Sequence, residues 1–188
     1  MVADRDRSAH GFLLTVVGLL GAPAPELRDY GAAKSVVTPL DGRVVEILRG
    51  RRIEIFVDLH LAGFPPTVLV VFAPEGLYER AKLLEDASPS TFSKTGDAAF
   101  DRQFVVLGEG ASAVATQLAA ALGALVDASS LRPSINPLRL EPGKAPEFRL
   151  HLRTLPTCDG ADPRQVEGAV RQAIALAHSV ERAWSTDV

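Results

Sequence analysis

The chain has 188 residues, 47% apolar and 23% charged, with a formal net charge of −3. That length suits one domain burying roughly 70% of its unfolded surface, and the composition is that of an ordinary globular protein and not of a disordered chain. The acidic balance argues against nucleic acid as a ligand, because phosphate binding needs a concentrated basic surface, and the single cysteine, Cys158, excludes an intramolecular disulfide.

Phe12 to Leu20 (F-L-L-T-V-V-G-L-L) is uncharged, and Ala22-Pro23-Ala24 follows. The pair resembles the apolar core and cleavage site of a signal peptide. However, Asp4-Arg5-Asp6-Arg7 supplies no net positive charge, and the run falls short of the roughly 20 residues of a spanning helix. Residues 1–24 are therefore expected to be a buried strand or short core helix, with a weak signal or anchor as the alternative. Residues 25–188 are expected to form a single α+β domain.

Arg43 to Leu48 and Ile53 to Leu61 read as strands joined by Arg49-Gly50-Arg51-Arg52, a hairpin spacing. In the second, Ile53, Ile55, Val57 and Leu59 share one face, while Glu54, Phe56, Asp58 and His60 share the other. That period of two marks a half-buried strand. After the Gly63-Phe64-Pro65-Pro66 turn, Thr67 to Phe72 reads as a strand apolar on both faces. A short helix is expected from Gly76 to Leu84, a loop from Glu85 to Gly96 and a strand from Arg102 to Leu107. Ser112 to Val126 has a helical repeat at Val114, Leu118, Leu122 and Leu125, with Ser112 as its cap. Ile135 to Leu140 and Glu147 to Arg153 read as short strands among prolines. Asp162 and Pro163 then open a helix whose stripe is Val166, Val170, Ile174, Ala177, Val180 and Trp184. The expected fold is α+β: a mostly antiparallel sheet with two or three helices packed on one face.

Four groups are candidates for chemistry. Gly108-Glu109-Gly110-Ala111-Ser112-Ala113 matches G-x-G-x-x-A. A dinucleotide site would also need a parallel sheet and an acid after the next strand, so a tight strand-to-helix turn is the better reading. Asp97 and Asp101 lie four apart and can serve a metal or acid–base pair, or can cap a turn anchored by Phe100 and Phe104. The histidines His10, His60, His151 and His178 lack metal-ligand spacing, and Cys158 sits in a polar loop. Finally, Arg49, Arg51 and Arg52 with Arg149, His151 and Arg153 can make an anion or lipid-headgroup surface, or simply a solvated sheet face. No catalytic, cofactor-binding or metal-ligating residue is assigned, and no cofactor is expected.

The T-G-D-A-A-F-D-R-Q-F-V-V segment, Thr95 to Val106, sits between strand pairs and an Ala/Leu-rich helix. There the chain resembles an uncharacterised bacterial domain of unknown function, over roughly residues 42–182. The resemblance implies no activity. The leading expectation is a non-catalytic binding or scaffolding module, cytoplasmic, recognising a protein partner or a second copy of itself. One alternative is a hydrolase using Asp97, Asp101 or Glu109 with a strand histidine. Another is an exported or membrane-associated protein that contacts a bilayer through Phe12 to Leu20.

Overall fold

Leu13, Val16, Val17 and Leu20 recur at helical spacing, and all four are buried. They belong to helix α1, Val2–Leu20, in the computed structural model. The structure describes residues 2–76, 78, 82, 92–115, 132–137, 147–154 and 161–185. Gly21 ends α1 with φ of 67°. Its N–H donates to the Gly18 carbonyl and that of Ala22 to Val17, the Schellman arrangement, with Pro23 following. Ala22-Pro23 thus marks a helix stop.

Four antiparallel strands follow as a meander: β1 Glu26–Asp29, β2 Lys34–Leu40, β3 Arg43–Arg49 and β4 Ile53–Leu59. The first two were not anticipated. Their signal was the Asp41-Gly42 pair, which has positive φ at both residues and joins β2 to β3 as a two-residue hairpin. The next elements are β5 Leu69–Phe72, β6 Phe92–Ser93, α2 Ala98–Gln103 and β7 Phe104–Leu107. β8 Ser134–Pro137, β9 Phe148–Thr154 and α3 Pro163–Ser185 complete the described chain.

The nine described strands form one sheet in the order β1-β2-β3-β4-β9-β8-β5-β7-β6, with every pairing antiparallel. The chain is α+β, as its hairpin-spaced strands implied. α1 and α3 pack on each other and on one face of the sheet, α1 over β2 and β3, α3 over β4 and β9. One apolar cluster joins that face to both helices, through Val36, Ile47, Ile55, Val57, Leu150 and Leu152 below and Val170, Ala173, Ala177 and Val180 above. Asp162 caps α3 by accepting from the Arg164 N–H, and Trp184 at the far end donates to the Ala62 carbonyl and packs on Phe64.

Several boundaries move. Arg102 and Gln103 belong to α2, because Asp97 has already opened a helix there. Ser112 is not a cap. Helical residues 111–115 begin behind Gly110, whose φ of 86° and carbonyl set the first turn. The rest of that expected helix, most of the one expected from residue 76 to 84, and the Cys158 loop lie outside the described residues.

Candidate functional site

The two carboxylates at the start of α2 both bond the turn around them. Asp97 accepts from the N–H groups of Ala99 and Phe100, at 2.8 and 3.0 Å. Asp101 reaches back to the Thr95 N–H and hydroxyl and to the Gly96 N–H. Phe100 and Phe104 stack at 4.7 Å beneath them and are buried. The adjacent glycines serve backbone approach. A Cβ on Gly108 would lie 2.1 Å from the Thr67 carbonyl oxygen, and the φ there is 116°. Thr67 also donates its hydroxyl to the Glu109 carbonyl. With an all-antiparallel sheet around it, this turn has a packing reason and no dinucleotide context.

A different cluster emerges on the sheet face away from α1 and α3. Cross-strand register sets it: Val37 faces Glu46, Glu46 faces Phe56, and Phe56 faces His151, while Asp58 faces Arg149. Glu46 is only 6% exposed, although it stands between Val45 and Ile47 in sequence. A buried carboxylate must be paired. It accepts from the Ser35 hydroxyl at 2.8 Å, the Tyr30 hydroxyl at 3.2 Å and Arg149 Nη1 at 3.2 Å. Arg149 also donates through Nε to Asp58 Oδ1 at 2.8 Å. One guanidinium thus bridges carboxylates on β3 and β4.

His151 completes the belt. It is 9% exposed, stacked on Phe56 with centroids 4.4 Å apart and planes within 9°. Its Nε2 lies 2.7 Å from Glu54 Oε2. Burial pushes the imidazole below its ordinary pKa, and the Glu54 carboxylate offsets only part of that. The neutral ring therefore donates its Nε2 proton to Glu54. Solvation was the expectation for a strand histidine. The neighbouring aromatic ring and carboxylate overturn it.

Arg49 and Arg149 do not share a patch. Arg49 lies over the Phe12 ring of α1 at 4.3 Å, on the helix side, whereas Arg149 is on the opposite face and neutralised. On the helix side, the buried Arg43 joins the Asp58 carbonyl, His178 and Glu181. Glu181 also accepts from the His60 N–H. Burial alone would raise the Glu181 pKa. The bonds from Arg43 and His60 outweigh it and hold the carboxyl below its ordinary range. A shallow, open depression lined by His178, Glu181, Arg182 and Ser185 sits there.

Of the residues singled out from sequence, His151 and Arg149 meet in one cluster, yet Asp97, Asp101 and Glu109 do not join them, since His151 pairs with Glu54. Glu46, Tyr30 and Ser35 were missed. The available signal was Glu46 itself, one carboxylate inside an otherwise apolar V-V-E-I-L run. Among the described residues, no group of three or more His, Cys, Asp or Glu is arranged to hold a metal ion. None of their helices is long and apolar enough to cross a membrane. No protein family, curated protein or solved structure matches the chain.

Proposed function

We propose that the protein is a non-catalytic binding module that recognises a protein partner through the helix-free face of its sheet. One observation carries this reading: Glu46, Glu54, Asp58, Arg149 and His151, the buried and half-buried titratable groups in the middle of that face, are bonded to one another. Glu46, Asp58 and Arg149 form one bonded set, and Glu54 with His151 another, so their charges hold side chains in place. Around them Phe56 and Leu48 are half-buried, and Val44 and Arg153 are exposed. A surface of pinned side chains that mixes apolar area with charge suits recognition, because little side-chain entropy is lost on docking. Less support falls to the hydrolase alternative, because Asp97 caps α2 and Asp101 accepts from Thr95 and Gly96.

The test is site-specific photo-crosslinking in the producing cells, with the probe at Val44 or Arg153 and a control probe at Arg171 on the outer side of α3. A discrete protein adduct from the two sheet positions alone is the expected result, and Phe56→Asp should abolish it. Equal labelling from all three positions, or none from the sheet, overturns the proposal.

A further inference from the structure

β1 begins the strand order, so one of its long sides faces outward. The phase of its hydrogen bonds follows from the turn to β2. Tyr30 N–H donates to the Ala33 carbonyl, which makes that a bonded pair, and Asp29 faces Lys34 while Leu27 faces Val36. Antiparallel ladders alternate. The backbone N–H and C=O groups of Leu27 and Asp29 therefore point away from β2, into the open edge. The edge is accessible: Glu26, Leu27, Asp29 and Tyr30 are exposed, Leu27 by 46%.

We propose that this edge pairs, antiparallel, with β1 of a second copy of the chain, about a two-fold axis through Leu27. In that register the two Leu27 residues exchange both backbone hydrogen bonds. Glu26 of each copy then falls opposite Arg28 of the other, in the pairs where side chains come closest. Neighbouring registers fail on charge. Shifting by one residue sets Glu26 against Asp29, and centring on Arg28 sets arginine against arginine. The pairing also ends naturally, since Pro25 has no N–H to extend it. The Glu26–Arg28 contacts made within one strand, at 2.9 and 3.1 Å, are re-formed across the seam.

A second feature lies toward the same flank. α1 packs over β2, whereas α3 packs over β4 and β9, so α1 is the helix nearer this edge. Its face turned from the core carries Gly11, Leu14, Thr15, Gly18 and Leu19, all exposed. Glycine weakens a helix interior. Yet a Cβ at Gly11 or Gly18 would meet nothing within 4 Å, so nothing near them in the chain requires glycine there. The β1 seam sets the α1 of a second copy on the same face of the continued sheet, with the two β1 strands between the helices. This seam is an edge contact and does not depend on the helix-free face being a partner site.

Sedimentation velocity on the full chain over a concentration series tests the proposal. The wild type should sediment as a dimer. Glu26→Arg and Arg28→Glu should each sediment as monomers, since each sets like charges across the seam. An equimolar mixture of the two should recover a dimer, because arginine-only and glutamate-only edges are complementary. The double variant should again dimerise by itself. Circular dichroism melts matching the wild type would show that the single variants remain folded. A wild type that stays monomeric overturns the proposal. So does a dimer that both single reversals leave intact, or a mixture that stays monomeric.

Discussion

Asp97 holds α2 by accepting two N–H groups that the first helical turn leaves without intrahelical partners. Asp97→Ala is expected to cost about 1 kcal/mol in urea denaturation, while Asp97→Asn, which keeps the acceptor, should cost less. Gly108 answers to sterics. Any Cβ there collides with the Thr67 carbonyl, at a φ that L-residues rarely adopt. Gly108→Ala should therefore lower stability by more than about 2 kcal/mol, read in the same way. His151 answers to solvation. Its folded pKa lies below the ordinary 6.5, so the unfolded chain binds the proton more readily. The associated stability is complete above about pH 6.5 and is lost as pH falls through the folded pKa. Urea melts across that window should show a shallower slope of stability against pH for His151→Gln than for the wild type. Identical slopes would mean that His151 does not titrate there.

Elements were legible where their own periodicity was strong. The alternation of β4 separates Ile53, Ile55, Val57 and Leu59, all buried, from Glu54, Phe56 and Asp58, which are half-buried. The stripe of α3 is likewise buried from Val166 to Val180. β1 and β2 escaped notice because their sequence, E-L-R-D then K-S-V-V-T-P-L, mixes charge, apolar and proline positions. Their pairing comes from two turns and from the strand beside them. Between elements, Arg43 ties β3 to the last turns of α3 through Glu181, with both side chains largely buried. Arg43→Met leaves that carboxylate buried without its cation. It should cost about 3 kcal/mol by thermal or urea denaturation, and Glu181→Gln should cost a similar amount, because it leaves the Arg43 guanidinium, the more deeply buried of the two, without its anion.

At the scale of the whole molecule, α1 and α3 cover one sheet face together, so residues 12–20 contribute to the core. Burying Leu13, Val16, Val17 and Leu20 is worth about 6 kcal/mol or more, comparable to the entire stability of an ordinary domain. A truncation lacking residues 1–22 should therefore lose cooperative unfolding and bind a hydrophobic dye; a sharp wild-type melt would contradict this. What the sequence determined by itself was local: the α+β class, the faces of β4, the start and stripe of α3, and the capping role open to Asp97. Each depends on neighbours within a few residues, where spacing and side-chain type suffice. What only tertiary structure decided was partnership. Nothing in the sequence pairs Phe56 with His151 or Glu46 with Arg149, because strand order and register arise from contacts between residues roughly a hundred positions apart. Those contacts turned scattered charges into a bonded face, and left the dispersed acids of the α2 turn to hold backbone.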